Sequence, residues 1–298
     1  MEVGIDIGGT NTRVLVTDDG VPVSNARVLT ASWRHGTLTS DPSNARRLLD
    51  LIPEPVVGRL DVPIAVGAHG CDTQNQCQTL QTWISREHPG PVLVVNDSEL
   101  FGPALGLFST IAVVCGTGSI VVGRNSAGEI IKVGGFGWIL DDPGAAPGVV
   151  RAAVIAIMRE HDNDAEPGIL AHLLMGHYGS TDPVELGYDF TADADITRWG
   201  ALAPLVFQAA EAGDQLALDI IRTDGGRLAE DVIRLRAKGV RSADVVMAGG
   251  VITAQPLLER SFTEALARMD PTLRVHVLRD PPVNGAIALA RSLPARGS

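Results

Sequence analysis

The chain has 298 residues, of which 45% are hydrophobic and 20% charged, so it is long enough to bury the cores of two domains. Its formal net charge of -11 argues against a nucleic-acid partner, because proteins bind nucleic acids largely through Lys and Arg on phosphates. The three cysteines, Cys71, Cys77 and Cys115, fit neither a disulfide framework nor a zinc site, and we expect reduced structural thiols.

The sequence also gives no sign of a membrane partner. No stretch reaches the roughly 18 apolar residues that a bilayer-spanning helix needs. The start at Met1 has neither the basic segment nor the apolar core of a signal peptide. We therefore expect a cytoplasmic protein.

The first third of the chain alternates short apolar runs with glycine turns, which is typical of α/β proteins. Asp19-Gly20 is a hairpin signal, and Asp41-Pro42 is typical of a helix start. In chain order, the predicted elements are strands at 3–7, 12–17 and 21–29, a helix after 42, strands at 63–67 and 91–95, and a short helix at 98–107.

The opening pattern then returns. When Gly9 is placed over Gly116, Asp19-Gly20 falls close to Ala127-Gly128. Self-similarity over this distance predicts two domains of one architecture, although two unrelated glycine hairpins would give the same pattern. The later predicted elements are strands at 111–115, 120–123, 130–133, 243–248 and 273–278, and helices at 147–160, 167–175, 194–211, 216–238, 254–269 and 283–293. We interpret the stretch 218–236 as a charged helix face over a core.

Two glycine hairpins carry the first chemical signal. Glycines let successive backbone N–H groups approach an anion closely, so each hairpin predicts a phosphate cradle. Asp6 ends the strand before the first hairpin, where a carboxylate could bind Mg²⁺ through water. An ordinary hairpin with a capping Asp is the alternative. The two hairpins are Gly8-Gly9-Thr10-Asn11-Thr12 and Gly116-Thr117-Gly118-Ser119.

Three further positions lie at the predicted carboxyl ends of strands. Asp97 follows Val94-Val95-Asn96 and is our candidate general base, with a helix N-cap as the alternative role. Gly249-Gly250 follows another strand, and its bare backbone could accept an adenosine, although a plain strand–helix turn would look the same. His69 ends a strand that faces the predicted cleft, where it could contact a sugar.

In this order, the motifs resemble those of the actin-like ATPases, a superfamily that includes Hsp70 chaperones and hexokinases. Within it the sequence is most similar to the N-acetylglucosamine kinases and the related BadF/BadG/BcrA/BcrD ATPases, through to the ending Pro281-Pro282-Val283-Asn284-Gly285-Ala286. The resemblance implies an α/β fold of two actin-like (ribonuclease H-like) domains, 1–109 and 110–282, with a nucleotide and substrate cleft between them. It also implies that a C-terminal helix within 283–298 packs back on the first domain.

The resemblance implies a kinase that uses ATP and Mg²⁺ to phosphorylate a hydroxyl of an amino sugar, most simply the 6-hydroxyl of N-acetylglucosamine or glucosamine, and that forms a homodimer. Asp97 matches the base of these kinases and Asp6 their water-mediated Mg²⁺ ligand. The predicted nucleotide-binding residues are Gly8, Gly9, Thr10, Asn11, Thr12, Gly116, Thr117, Gly118, Ser119, Gly249 and Gly250. The predicted substrate-binding residues are His69, Gly70, Asn96, Asp97, Thr117, Gly135, Phe136, Asp142 and Ala146.

Three departures from the family pattern bear on the choice of sugar. Phe136 stands where the family has Trp, and Pro143 and Ala145 replace Glu and Ser. The asparagine with which family members contact the sugar has no counterpart in 30–36, where Trp33-Arg34-His35 lies instead. A site built on hydrogen bonds rejects ligands strongly when those groups change.

Two other functions fit parts of the sequence. Some BadF-type relatives are ATP-hydrolysing activators of a redox enzyme and hold an iron–sulfur cluster through paired cysteines, but Cys71 and Cys115 are not recognisably placed for one. A non-catalytic sugar sensor or repressor of the related ROK family would need a helix-turn-helix before Asp6 and a Cys-rich zinc loop, which the sequence lacks.

Overall fold

The computed structural model describes residues 1–53, 56, 62–193 and 195–294. Within them the first part of the chain forms a five-stranded sheet of order β3-β2-β1-β4-β5. Its strands are β1 (Glu2–Ile7), β2 (Asn11–Asp18), β3 (Val21–Leu29), β4 (Ile64–Ala68) and β5 (Val92–Asn96). The helices beside it are α1 (Ser43–Leu49), α2 (Gln74–Glu87) and α3 (Phe101–Ala104), with 3-10 turns at Thr30–Ser32 and Asp97–Leu100.

A second five-stranded sheet follows, of order β10-β9-β6-β7-β8. Its strands are β6 (Thr110–Cys115), β7 (Ser119–Arg124), β8 (Ile130–Gly134), β9 (Asp244–Ala248) and β10 (Arg274–Val277). The helices of this half are α4 (Ala146–Asp162), α5 (Ile169–Tyr178), α6 (Pro183–Ala192), α7 (Ile196–Ala201), α8 (Ala203–Glu211), α9 (Gln215–Ala237), α10 (Gly250–Ala254), α11 (Pro256–Met269) and α12 (Val283–Ser292).

The two sheets repeat one topology. In the first, β1 pairs antiparallel with β2 and parallel with β4, and β2 and β4 are followed outward by β3 and β5. In the second, β6 pairs antiparallel with β7 and parallel with β9, with β8 and β10 outside them. The predicted α/β fold of two similar domains is confirmed. The two glycine hairpins are therefore equivalent connections, β1 to β2 and β6 to β7.

The helices differ from the prediction at five places. Two helices were not predicted: α2, although Thr73 caps it, and α6, although Asp182 caps it and Pro183 opens it. The single helix predicted at 194–211 is two helices that meet at Leu202, and Ala194 lies outside the described residues. Before the helix predicted at 254–269, the chain forms an additional short helix, α10, which Gln255 separates from α11. Both breaks precede a proline in the first turn of the next helix, where the ring prevents a continuous helix. The short helix predicted at 98–107 is the 3-10 turn plus α3.

The last helix returns to the first sheet. α12 packs against β1, where a methyl group on Gly4 would lie 2.8 Å from the backbone nitrogen of Ile287. The absence of a side chain at Gly4 is what permits this approach. The predicted boundaries of the two domains remain a prediction.

The three cysteines are free and buried, as expected for structural thiols. In the part of the chain that the structure describes, no helix has the length and apolar character needed to cross a membrane.

Candidate active site

A cleft of about 840 Å³ is lined by residues of both halves of the chain. The two glycine hairpins, the carboxyl ends of β4 and β5 and the Gly249-Gly250 turn all contribute to it. The structure brings these sequence-predicted site residues together in its lining: Gly9, Thr10, His69, Asn96, Asp97, Gly116, Thr117, Gly118, Ser119, Gly135, Asp142, Ala146, Gly249 and Gly250. The lining does not include Asp6, Gly8, Asn11, Thr12, Gly70 or Phe136.

The first hairpin is supported from beneath by a buried hydroxyl network. The Gly8 N–H donates to the Asn11 carbonyl at 2.9 Å and closes the turn. Thr30 Oγ1 donates to the Gly8 carbonyl at 2.8 Å and lies 3.0 Å from Thr12 Oγ1, which accepts a bond from Trp33 Nε1 at 3.0 Å. Thr12 is fully buried, so its hydroxyl faces the core and not the cleft. In this structure the Thr12 side chain supports the hairpin, and a nucleotide contact of Thr12 stays a prediction.

The second hairpin packs directly on the Gly249-Gly250 turn. The Gly116 N–H donates to the Gly118 carbonyl at 2.9 Å, and a methyl group on Gly116 would lie 3.4 Å from the Gly250 nitrogen. Gly249 has φ +122°, and a methyl group there would lie 2.3 Å from the Cys115 carbonyl oxygen. Only glycine satisfies both the backbone angle and the contact. Two of the three backbone segments predicted to hold a nucleotide, the second hairpin and the Gly249-Gly250 turn, are therefore in direct contact with each other.

Asn96, not Asp97, caps the turn after β5. The Asn96 side-chain oxygen accepts hydrogen bonds from Ser98 N at 3.1 Å and Ser98 Oγ at 2.6 Å. The Asn96 N–H in turn donates to the Glu99 carboxylate at 2.9 Å. This is a capping box, which satisfies the free N–H groups of the turn. Because Asn96 takes the capping role, the Asp97 carboxylate is free to serve the cleft, with 30% of its side chain exposed. The Asn96 amide also donates to the Cys71 carbonyl at 3.2 Å, so its polar atoms already have protein partners.

Asp6 lies at the end of β1, where its surroundings disfavour the ionised form of its carboxyl. Burial raises the pKa of Asp6 to about 6, and the negative charge of Asp97 adds to the rise, while Arg13 opposes it. A bound cation would relieve the repulsion between the two carboxylates. Among the described residues, no cluster of three or more His, Cys, Asp and Glu side chains could hold a metal by itself. Mg²⁺ is commonly held by one or two carboxylates together with water and phosphate oxygens, and Asp6 beside a phosphate cradle fits that donor set.

Asp142 lies on the other side of the cleft, beside the second hairpin. It is only 5% exposed and has φ +74°, and its Oδ1 has no hydrogen-bond partner. Burial raises its pKa, against the effect of the Gly137 and Ser119 backbone N–H groups. The buried Ser119 Oγ also has no partner. Buried polar atoms are costly to leave unpaired, so these two cleft atoms point to a ligand that satisfies them.

Phe136 does not line the cleft with Asp142. It lies 70% exposed in the loop after β8, while Gly135 and Gly137 on either side of it are in the cleft lining. All three glycines of this segment, Gly134, Gly135 and Gly137, have positive φ. The ring of Phe136, which was predicted to bind the substrate, is therefore at the surface in this structure.

Helix α9 supports the segment that carries Asp142. This support was not predicted from the sequence. Asp224 Oδ2 accepts the Gly144 N–H at 2.9 Å, and Arg227 pairs with Asp141. Burial raises the pKa of Asp224 to about 6. The interpretation of 218–236 as a charged helix face over a core holds at Arg227, whose side chain is 48% exposed, but Asp224 and Asp231 are buried. The spacing could have revealed the buried carboxylates, since Asp224 and Asp231 lie seven residues apart on the apolar face of the helix.

Ion pairs also join the two halves of the chain beside the cleft, and they were not predicted. Lys132 Nζ on β8 lies 3.5 Å from Asp72 Oδ1, just after β4. Arg124 on β7 pairs with Glu99, two residues after Asp97. These contacts connect the second sheet to the segments after β4 and β5.

Comparison with known proteins identifies the family. The sequence pattern of the BadF/BadG/BcrA/BcrD ATPase family matches residues 3–289. The chain belongs to this family. The resemblance inferred from the order of the motifs is thus confirmed over nearly the whole chain.

Three proteins to which this chain is similar are named as sugar kinases. An N-acetylmuramic acid/N-acetylglucosamine kinase of Clostridium acetobutylicum is 24% identical over 304 residues, covering 97% of this chain and 98% of the relative. An N-acetyl-D-glucosamine kinase of Dictyostelium discoideum is 22% identical, covering 97% of each protein. A ROK family glucokinase of Streptomyces griseus, solved with glucose and AMPPNP, is 17% identical with a TM-score of 0.59, and 97% of this chain and 98% of that one are covered. The structural likeness shows the shared two-domain fold.

Proposed function

We propose that this ATPase-family protein is an ATP-dependent sugar kinase that phosphorylates a hydroxyl of an amino sugar. The observation that carries the proposal is the position of Asp97, whose carboxylate lines one cleft with both glycine hairpins and the Gly249-Gly250 turn. The names of the full-length relatives from Clostridium acetobutylicum and Dictyostelium discoideum support the same reaction. N-acetylglucosamine or glucosamine, phosphorylated at the 6-hydroxyl, is the acceptor that we propose.

The hairpins would hold the triphosphate of ATP. Their backbone N–H groups would bind phosphate oxygens from both sides, with adenosine against Gly249 and Gly250. An acidic chain can hold ATP in this way because the contacts come from the backbone. Asp6 would bind Mg²⁺ through water, and bound Mg²⁺ would neutralise phosphate charge. The Asp6 and Asp97 carboxylates then serve different ligands, the cation and the acceptor.

Asp97 would act as the general base. The acceptor O–H gives its proton to the Asp97 carboxylate, the freed oxygen pair forms the bond to the γ-phosphorus, and the bond from that phosphorus to the bridging oxygen breaks to release ADP. Asp142 and the hydroxyls of Thr117 and Ser119 would orient the sugar. The unpaired Asp142 Oδ1 and Ser119 Oγ give these residues free acceptor and donor capacity inside the cleft.

The test is an ATP-consumption screen with purified protein. Acceptors should include amino sugars, their N-acetylmuramic derivatives and plain hexoses, with the phosphorylated position read by NMR. We expect ADP release that depends on an amino sugar, and loss of kcat by about 10³-fold or more in Asp97→Asn with sugar binding retained in calorimetry. ATP hydrolysis at one rate with and without every sugar would reject the proposal and favour an activator of a partner enzyme.

The cellular setting follows from the same resemblance. We propose a cytoplasmic homodimer, and analytical ultracentrifugation of the intact chain measures the oligomeric state directly. A monomer at micromolar concentration would reject that part of the proposal without affecting the reaction.

A further inference from the structure

His69 is held on a rigid turn at the end of β4. Its backbone N–H donates to the Ile7 carbonyl at 2.8 Å, which ties it to β1 just before the first hairpin. The next residue, Gly70, has φ +88°, and the Cys71 N–H closes the turn on the Ala68 carbonyl at 3.1 Å. The Cys71 carbonyl in turn accepts the Asn96 amide at 3.2 Å. The His69 backbone is thus linked to both segments that carry the site.

The imidazole of His69 lies between the candidate base and the first phosphate hairpin. Its Nδ1 is 3.4 Å from Asp97 Oδ2. Its opposite edge faces Gly9, where an added methyl group would lie 3.6 Å from both Cδ2 and Nε2. The ring therefore lies beside both the candidate base and the first phosphate hairpin, and its contact with Asp97 is through Oδ2.

The charges around His69 favour an imidazole that donates to Asp97. Among the described cleft residues, Lys132 and His69 are the side chains able to carry positive charge, and Lys132 pairs with Asp72. The Asp97 carboxylate, 3.4 Å from Nδ1, raises the pKa of His69 most. Burial and the charge of Arg34 lower that pKa, and the charge of Asp72 raises it. Asp6 adds a second negative charge near Asp97. A donor at this point offsets part of the repulsion between the two carboxylates.

We propose that His69 is a positioning residue for phosphoryl transfer. Its Nδ1–H holds Asp97 through Oδ2, so that Oδ1 faces the acceptor hydroxyl in line with the phosphate held by the first hairpin. This inference rests on the proposed kinase function. It assigns His69 a role that acts through Asp97, in place of the direct sugar contact expected from the sequence.

The test compares His69→Ala, His69→Asn and a matched control. We expect His69→Ala to lower kcat on the order of 10–100-fold, since a misplaced catalytic group is costly, with the sugar KM changed less than about 3-fold. His69→Asn should recover most of kcat, because the Asn amide can donate from nearly the position of Nδ1. His276→Ala is the control: His276 on β10 also lies beside a carboxylate, 2.9 Å from Asp244, but outside the cleft lining. It should leave both constants unchanged.

Other results would overturn the proposal. A raised sugar KM with unchanged kcat in His69→Ala would make His69 a sugar contact, and equal loss in His69→Asn would remove the donor role. A wild-type protein inactive on every sugar would instead reject the proposed function. In that case the pairing of His69 with Asp97 can be tested without a sugar, by NMR titration of the His69 imidazole. The midpoint of this titration should fall in Asp97→Asn. An unchanged midpoint overturns the inference.

Discussion

Arg124 of β7 and Glu99, two residues after Asp97, form a two-pronged ion pair between the halves of the chain. Arg124 Nη2 donates to Glu99 Oε2 at 3.0 Å, and Nε donates to Oε1. The same Glu99 Oε2 accepts the Asn96 N–H at 2.9 Å. The guanidinium also donates to Gln74 Oε1 at 2.7 Å. A residue of the second sheet is therefore bonded to the turn that carries the candidate base.

Arg124→Gln should impair both stability and turnover. Glu99 is only 17% exposed, so removing its partner leaves a partly buried charge, at a cost of about 1–3 kcal/mol in the free energy of unfolding. With Asp97 less firmly held, kcat should fall about 10-fold, with little change in ATP binding. Urea denaturation and steady-state kinetics measure the two effects.

Arg222→Gln is the matched control for this pair. Arg222 pairs with Asp219 on the surface of α9, where the two side chains are 64% and 52% exposed. Exposed pairs contribute little, so stability should change by less than about 0.5 kcal/mol and kcat should not change. Equal effects of the two substitutions would contradict the linking role of Arg124.

Gly249→Ala should abolish ATP binding. The added methyl group would collide with the Cys115 carbonyl and push the turn away from the second hairpin. Gly213 is the control, because its φ of +90° is also left-handed but no atom lies within 4 Å of an added methyl. Gly213→Ala should cost about 1 kcal/mol of stability and leave the ATP Kd unchanged. ATP binding measured by calorimetry separates the collision from the backbone strain; normal binding by Gly249→Ala would be inconsistent with the packing of the turn.

The sequence was sufficient where one local rule decided the structure. Hydrophobic runs bounded by glycine and proline predicted the strands of both sheets within one or two residues, and β3 at Val21–Leu29 without error. The order of the glycine motifs predicted the repeated topology and the family. These features depend on backbone conformation, which glycine, proline and hydrophobic spacing control directly.

The sequence was insufficient where a side chain's partner lies far along the chain. Thr12 belongs to a hairpin motif and looks like a phosphate ligand, but its hydroxyl accepts from Trp33 in the core. Asp224 looks like one of many charges on a long helix, yet it binds the backbone of Gly144, 80 residues away. Neither partner can be deduced from local spacing, because each depends on how two elements pack.

Asp224 should control sugar affinity through Gly144. Asp224→Ala removes the acceptor of the Gly144 N–H and should loosen the segment that presents Asp142, raising the sugar KM by about 10-fold with the ATP KM unchanged. Asp224→Asn keeps an acceptor oxygen and should raise it less than about 3-fold. Asp219→Ala, on the exposed side of the same helix, is the control. Should the ATP KM rise in parallel, α9 would be acting on the whole domain and not on the sugar segment.

Asp6→Asn should stabilise the protein while removing its use of Mg-ATP. Burial and the Asp97 charge raise the pKa of Asp6 from 3.8 to about 6, so its protonated form is favoured in the folded state. Below about pH 4 both folded and unfolded chains carry the protonated carboxyl and no penalty applies. As pH rises through about 6 the folded state must ionise the group, which costs about 2–3 kcal/mol above that pH.

The gain in stability from Asp6→Asn should therefore be full at pH 8 and small at pH 4. Urea denaturation at both pH values measures it, and Asp19→Asn, at an exposed hairpin turn, serves as the control with less than about 0.5 kcal/mol of change. Mg-ATP should raise the melting temperature of the wild type and of Asp19→Asn but not of Asp6→Asn, because the neutral amide cannot attract the cation. Equal stability of wild type and Asp6→Asn at pH 8 would mean that the carboxylate is not penalised in the folded protein, and retained stabilisation by Mg-ATP would remove Asp6 from the cation site.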